Sequence, residues 1–277
     1  MAKVIWPPSN FTVDRKASKR RKAKLESYLA ENVWSRDDGF VCLSKRMCRR
    51  SAVRQSDVGF YEAQGHMVGP SYDISADGIP FRVLVIPIET GTQNRHTTVE
   101  RRTSAVLKAA KIPFSKRNPH MRGVTFALRL AFGLPVADPD AEYVEFADGS
   151  TAHLLESYAM TNLLLCSAVT TGTMASRSTS IMRGSCFRHM RQTIGILEPN
   201  LVISQGVVLD ETLRAGLGVL NPINENVATC NLDGNPFVWV SLRHPTRNWN
   251  AVSQPYLKKI VVPSIKLARR MVFAGEP

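Results

Sequence analysis

The sequence predicts an α/β protein, a three-layer α/β/α sandwich around a central, mostly parallel sheet of four strands. Short apolar runs rich in β-branched residues alternate with segments whose apolar residues recur every three to four positions. Such runs are typical of strands buried on both faces, and their alternation with helices is typical of parallel strands joined by helical crossovers. The predicted strands cover residues 81–88, 158–166, 201–205 and 236–242.

Helical segments are predicted between and after these strands. The periodicity indicates helices over residues 98–111, 123–134, 186–199 and 207–217, and a last helical segment over 256–273 that Pro263 interrupts. Polar or turn-forming residues predict loops over 55–80, 135–151 and 169–180. Ligands of such folds collect at the carboxyl ends of the strands, and Glu89, Asn162 and His244 are expected at or near them.

The chain is strongly basic, with a formal charge of +13 over 277 residues. Such a charge favours a polyanionic partner, and nucleic acid is the commonest one inside a cell. We expect a basic N-terminal arm or helix over residues 1–35 and an α/β domain over 36–277. Residues 15–24 hold seven Lys or Arg in ten positions, which fits either a phosphate-binding helix or a solvated helix face.

The chain carries no long apolar run of the length that crosses a membrane, and its first residues lack the apolar core of a signal peptide. We therefore expect a cytoplasmic protein without a membrane partner, and a monomer. Five cysteines in such a chain favour metal ligation or separate buried thiols over disulfides.

Three stretches, taken in order, resemble the iron–sulfur branch of the uracil-DNA glycosylase superfamily. They are the strand ending in Thr161-Asn-Leu-Leu-Leu-Cys166, the stretch from Cys186 through Leu197-Glu-Pro-Asn-Leu-Val-Ile-Ser-Gln-Gly206, and His244-Pro245-Thr246. They match the family's "TN…KC" strand, its cysteine-opened helix with the following "P-x-hydrophobic-run-G" strand, and its "HP-small" loop. The similarity covers roughly residues 40–250.

The resemblance implies that Cys42, Cys48, Cys166 and Cys186 bind a [4Fe–4S] cluster, which needs four thiolates. Five residues separate the first pair here, whereas the family has a closer pair, and nineteen separate the second. Zinc with four thiolates is the alternative metal, and separate core cysteines are the structural alternative. Cys230 is left over as a structural thiol.

The resemblance also implies the catalytic residues. Glu89 corresponds to the family's acidic residue and would stabilise the positive charge that builds on the sugar and orient a water. It could instead cap the next helix, with Glu100 as a weaker substitute. His244 would stabilise negative charge on the departing base, or would merely contact phosphate. Asn162 would read the flipped base, or would be a buried structural amide.

Further substrate and DNA contacts are implied less directly. Phe114 is the nearest match to the ring that the family stacks on the base, and it could equally be a core residue. Arg247 and Asn248 follow the histidine where relatives insert a side chain into the duplex. Arg95 belongs to a polar stretch, residues 93–102, that would contact phosphate or widen the pocket for a larger base, such as a phage-modified cytosine.

The leading interpretation is a monofunctional DNA glycosylase that extrudes a modified or damaged pyrimidine, either uracil or a bulky modified cytosine of the phage type. It would hydrolyse the N-glycosidic bond of that base, for repair or for defence against foreign DNA. The first alternative is a metal-stapled nucleic-acid-binding module without catalysis. The second is a small-molecule α/β enzyme, which the charge and the lack of a nucleotide-binding glycine loop disfavour.

Overall fold

The computed structural model describes residues 10–35, 39–54, 57–61, 66–88, 99–138, 140–173, 176–245 and 254–275. In these ranges the chain is a mixed α/β protein. Its helices are α1 (Arg15–Asn32), α2 (Lys45–Ala52), α3 (Val99–Ala110), α4 (Pro119–Phe132), α5 (Ser180–Leu197), α6 (Asp210–Gly216) and α7 (Val262–Ala274). A π-helical turn, Leu257–Val261, precedes α7, which begins at Val262, one residue before Pro263.

The strands are short except at the centre of the main sheet. Those outside the main sheet are β1 (Phe11–Val13), β2 (Trp34–Ser35), β3 (Gly39–Phe40), β4 (Val58–Tyr61), β6 (Ile74–Ala76), β7 (Ile79–Pro80), β9 (Tyr143–Glu145), β10 (Thr151–His153) and β12 (Ser167–Thr170). Those in the main sheet are β5 (Met67–Val68), β8 (Val83–Pro87), β11 (Ala159–Met160), β13 (Leu201–Gln205), β14 (Val219–Pro222), β15 (Val227–Leu232) and β16 (Asn235–Leu242).

The main sheet has seven strands in the order β14-β15-β16-β13-β8-β11-β5. The four neighbours β16, β13, β8 and β11 pair in parallel, and they correspond to the four strands that the sequence predicted. The outer strands β5, β14 and β15 add to this group by antiparallel pairing. The predicted count of four was too low because these outer strands are short or lie next to turns.

Alternate residues of the central strands enter two different hydrophobic clusters, as the period of two in a strand requires. Val83 and Val85 of β8 belong to the first cluster, which also contains residues of α3, α4 and α7. Leu84 and Ile86 belong to the second cluster, to which α1, α2, α5 and α6 contribute. Both faces of the central strands are therefore covered by helices, which explains why their sequences are apolar at nearly every position.

Two predicted elements that carry candidate site residues differ clearly in their bounds. The strand expected over residues 158–166 is reduced to β11, although the amides of Thr161 and Leu163 still donate to the carbonyls of Val85 and Pro87. The helix expected to open at Cys186 begins at Ser180, because the side chain of Thr179 accepts a hydrogen bond from the amide of Met182. Cys186 therefore lies in the second turn of α5.

The basic helix α1 is packed against the α/β body. Leu25 and Leu29 belong to the second cluster. The guanidinium of Arg21 lies 2.8 Å from a carboxylate oxygen of Asp73 and 2.9 Å from one of Glu198. At least one of the seven basic side chains of residues 15–24 is therefore used for internal ion pairs.

Candidate active site and thiol cluster

The carboxyl ends of the parallel strands bring the predicted site segments to one edge of the sheet. In the register of the strands, Pro87 of β8 pairs with Gln205 of β13, and Gln205 pairs with Leu242 of β16. On the other side of β8, the amide of Leu163 donates to the carbonyl of Pro87, so Asn162 lies level with Pro87. Asn162 and His244 thus belong to segments that leave the sheet at the same edge.

The alternation of side chains along each strand shows on which face of the sheet Gln205 and Asn162 lie. Leu201 and Ile203 of β13 lie in the first cluster, so Gln205 falls on the same face. Tyr158 and Met160 are also in the first cluster, and Leu163 is in the second, so the alternation gives Asn162 the face of the first cluster. Both amides therefore stand on the side of the sheet that α4 covers. Both are buried, with 2% and 0% of their surface exposed.

His244 is held against the first turn of α4. Its imidazole stacks on that of His120, with ring centroids 5.7 Å apart and 20° between the planes. The turn of α4 is itself fixed, because the side chain of Asn118 accepts a hydrogen bond from the amide of Met121 and Pro119 occupies the first turn. His120 is therefore carried by a well-capped helix start.

Close packing holds the residue after His244 as well. A Cβ atom on Gly123 would lie 2.2 Å from the Cβ of Pro245, a distance that no side chain tolerates. Glycine at this position of α4 allows the segment containing His244 and Pro245 to rest directly on the helix backbone. The position of His244 thus depends on a residue that has no side chain.

The site is polar, yet burial keeps its two histidines from carrying charge. Burial, followed by the neighbouring His244 and Arg102, lowers the pKa of His120 to about 3. Burial also lowers the pKa of His244. Both imidazoles are therefore neutral near pH 7. Burial lowers the pKa of Arg102 in α3, which nevertheless stays protonated.

Phe114 precedes α4 in the chain and packs against a turn of α4 other than the one that carries His120. Its ring packs edge-on against Phe126 with centroids 5.0 Å apart, and the guanidinium carbon of Arg129 lies 4.6 Å from its centroid. Phe126 follows His120 by six residues, or about 9 Å of helix rise. The structure therefore does not bring Phe114 into contact with the histidine pair through these partners, and its role in base stacking stays a prediction.

The remaining predicted contacts lie outside the described residues. These are the catalytic candidate Glu89 and the DNA-binding candidates Arg95, Arg247 and Asn248. Ile88, the residue before Glu89, is the last described residue of its segment. Its side chain approaches Gly206, where a Cβ atom would lie 2.8 Å from Ile88 Cδ1.

The four predicted metal ligands all lie in the second cluster and are buried. Burial and, to a smaller extent, the neighbouring Cys42 raise the pKa of Cys48 on α2 and of Cys186 on α5, and the backbone of Leu165 hydrogen-bonds the thiol of Cys186. Leu165 immediately precedes Cys166. The folded chain thus gathers three separate segments that carry the four thiols.

Cys42 also has polar neighbours that the sequence analysis did not include. Its sulfur lies 3.5 Å from His189 Nε2 and 3.5 Å from a guanidinium nitrogen of Arg188. The other ring nitrogen of His189, Nδ1, lies 2.8 Å from the hydroxyl of Tyr28 on α1. Burial raises the pKa of Cys48, and it raises that of Cys186 to about 12.

The donor set fits a four-thiolate metal group in its chemistry, because four soft ligands from three segments share one buried region. Within the described ranges, however, no group of three or more His, Cys, Asp or Glu side chains is arranged to hold a metal ion. In the described part of the chain, the four thiols therefore share one buried region but do not form a closed coordination shell around a single point.

Comparison with known proteins adds no family assignment. No protein-family model matches the chain, and no curated protein matches it. In the described part of the chain, none of the helices has the length and apolar character needed to cross a membrane.

The structure adds two residues to the candidate active site. His120 could have been suspected from its place in Asn118-Pro-His, a cap, a helix-starting proline and a first-turn histidine. Gln205 could have been suspected as the last residue of a buried strand that ends at Gly206. Neither signal names a partner, since the stacking of His120 on His244 joins residues that are 124 positions apart in sequence.

Proposed function

We propose that this chain is a divergent member of the uracil-DNA glycosylase superfamily and acts as a monofunctional DNA glycosylase. It would extrude uracil or a modified pyrimidine from DNA and hydrolyse the bond between the base and deoxyribose. The observation that carries the proposal is the arrangement at the sheet edge. Asn162 lies level with the last residues of β8, β13 and β16. In the sequence, β8 leads to Glu89 and β16 leads to His244.

The fold assignment that accompanies this proposal is a three-layer α/β/α sandwich. Its middle layer is the parallel group β16-β13-β8-β11 with antiparallel strands at its sides. Two hydrophobic clusters, one for each set of helices, support this assignment. Folds of this kind bind ligands at the carboxyl ends of the strands, where the proposed site lies.

The proposed reaction assigns one task to each side chain. Asn162 hydrogen-bonds the extruded base, since its amide offers one donor and one acceptor. Neutral His244 donates an N–H to the base as negative charge develops there. Glu89, which follows β8 in the sequence, stabilises the positive charge of the sugar and orients the attacking water.

The bond changes balance without another reactant. The water oxygen bonds to C1′ of deoxyribose while the bond from C1′ to the base nitrogen breaks. The electron pair of that bond leaves with the base. The proton lost by the water ends on the base, so the products are a neutral base and an abasic site. No lysine is assigned as a nucleophile, and strand cleavage is not part of the proposal.

DNA as the partner is supported by charge on the surface as well as by the total of +13. The exposed side of α2 and the turn after it carry four arginines, Arg46, Arg49, Arg50 and Arg54. Guanidinium groups bind phosphate oxygens well, and each such contact adds to salt-dependent affinity for DNA. We further propose that the protein is a monomer and works in the cytoplasm.

We propose that Cys42, Cys48, Cys166 and Cys186 bind a [4Fe–4S] cluster, with zinc as the alternative. The bound group would cross-link α2, α5 and the segment after β11 and so stabilise their packing. In this proposal the metal group is structural and takes no part in breaking the glycosidic bond.

The test is base release from defined DNA by the wild type and by Glu89→Gln. We expect free base and abasic sites from the wild type. The variant should lose at least about a hundredfold in rate, and it should still bind DNA. DNA binding without release from any base would instead favour the nucleic-acid-binding module.

A further inference from the structure

Gln205 is an unusual residue for a buried central strand. Its side chain is fully buried, and neither the nitrogen nor the oxygen of its amide has a hydrogen-bond partner in the described structure. Burying an amide without partners is costly, and native proteins keep few such groups. An apolar side chain of the same length would serve the fold better, so the amide needs another explanation.

The neighbouring residue shows that the strand can satisfy a polar side chain. Ser204 is equally buried, and its hydroxyl accepts a hydrogen bond of 3.0 Å from the indole nitrogen of Trp239. Ser204 and Gln205 point to opposite faces of β13. The unsatisfied amide is therefore confined to the face that α4 covers, which is the face of the proposed site.

The position of Gln205 fits contact with a base held at the sheet edge. Asn162 lies level with Pro87, and Pro87 pairs with Gln205, so the two amides are separated by the single strand β8. At about 4.8 Å for each strand spacing, their Cα atoms are about 10 Å apart. Beyond Gln205 in the same row is Leu242, two residues before His244.

We propose that Gln205 is a second base-reading residue, which hydrogen-bonds an edge of the extruded pyrimidine that Asn162 does not reach. This inference rests on the proposed function. The side-chain amide of Gln205 would supply one hydrogen-bond donor and one acceptor to the bound base. Because Gln205 is enclosed, the surrounding chain must rearrange when the base enters, as happens in many enzymes that close over a substrate.

The contact can be separated from a structural role by two neighbouring substitutions. Gln205→Met keeps the length of the side chain and removes both polar atoms. We expect it to lower kcat/KM for base release by about tenfold or more while leaving the melting temperature equal or higher. For Ser204→Ala we expect unchanged base release and a lower melting temperature, because the indole N–H of Trp239 loses its hydrogen-bond acceptor. Unaltered release by Gln205→Met, or a melting temperature that falls with it, would overturn the inference.

A binding measurement distinguishes failure of this inference from failure of the proposed function. The probe is DNA in which the pyrimidine under test is attached to a 2′-fluorinated sugar that resists hydrolysis. The reference is DNA of the same sequence that contains only normal bases. We expect the wild type to prefer the candidate base and Gln205→Met to lose most of that preference with its affinity for normal DNA unchanged. A wild type that binds selectively but releases no base would refute the proposed function alone. Equal preference in both proteins would refute the role of Gln205 alone, whereas no preference in the wild type would refute both the role of Gln205 and the proposed function.

Discussion

The imidazole of His244 stacks on the imidazole of His120, with ring centroids 5.7 Å apart. His120 belongs to the capped first turn of α4, whereas His244 lies beyond the end of β16. The contact fixes the ring that would face the departing base by using a helix that the sequence analysis did not connect with the site. Both residues are half-buried, and burial lowers both pKa values.

Substitution of the two histidines should therefore have graded effects on base release. We expect His244→Ala to lower kcat by about a hundredfold, the scale of one lost donor to developing charge. His120→Ala should lower kcat by about tenfold because His244 loses its orientation. Lys116→Ala, an exposed residue before α4, is the control. Single-turnover rates measure the effect, and an unchanged rate in His120→Ala would show that the stacking is irrelevant.

Gly123 should be required for activity although it carries no side chain. Gly123→Ala places a methyl group 2.2 Å from the Cβ of Pro245, so the segment with His244 must move. We expect loss of base release by about tenfold or more. Gly195→Ala is the matched control, since this glycine of α5 has no atom within 4 Å of an added Cβ. The control should raise helix stability by about 0.5–1 kcal/mol. Similar activity in the two variants would contradict the packing argument.

Metal content should depend on one of the buried cysteines and not on another. We expect Cys186→Ser to lose bound iron and sulfide, or bound zinc, and to melt at a lower temperature. Cys230→Ser should keep the metal, because Cys230 lies on β15 and is not among the proposed ligands. Elemental analysis and the visible absorption spectrum measure the outcome. A wild type without iron or zinc, or full metal content in Cys186→Ser, would exclude the proposed ligand set.

A buried ion-pair network beside α4 should make the protein sensitive to acid. Burial alone would raise the pKa of Glu142, yet hydrogen bonds from His153 and Arg117 outweigh it and lower the pKa from 4.5 to about 2. Arg117 lies 2.5 Å and Arg129 2.9 Å from the carboxylate oxygens. A carboxyl with a depressed pKa stabilises the fold above its unfolded pKa, and the stabilisation disappears as the pH falls through its folded pKa.

We therefore expect the free energy of unfolding of the wild type to exceed that of Glu142→Gln by about 3 kcal/mol above pH 4.5. The difference should shrink as the pH falls from 4.5 towards 2. Glu145→Gln on β9, where the side chain is exposed, is the control and should change little. Chemical denaturation across this pH range measures both variants. A difference that does not depend on pH would mean that the Glu142 charge contributes nothing.

The parallel centre of the fold was predictable because its strands carry strong, continuous apolar signals. The predicted segments 201–205 and 236–242 correspond closely to β13 and β16, and 98–111 corresponds to α3. The short strands between residues 57 and 80 were missed because two to four residues cannot display a clear period. The start of α5 was missed because Thr179 caps the helix from within a Ser/Thr-rich stretch that resembles a loop.

The candidate site was only partly predictable for a different reason. Asn162 and His244 could be chosen from local motifs, and parallel topology then brings their strands to one edge. His120 joins the site through its contact with His244, which is distant in sequence. Gln205 joins it because its buried amide lacks a hydrogen-bond partner in the described residues, which only the folded structure reveals. Arg95 lies outside the described residues, and its role stays a prediction.

The most direct test of the central proposal is base release from a panel of DNAs containing uracil, hypoxanthine, hydroxymethylcytosine or glucosylated hydroxymethylcytosine. Wild type, Glu89→Gln and His244→Ala are compared by the abasic sites that they produce. We predict that the wild type releases at least one of the pyrimidines and leaves an abasic site without a strand break, and that both variants are severely impaired. Release of no base from any DNA by a correctly folded, metal-replete wild type would contradict the proposal.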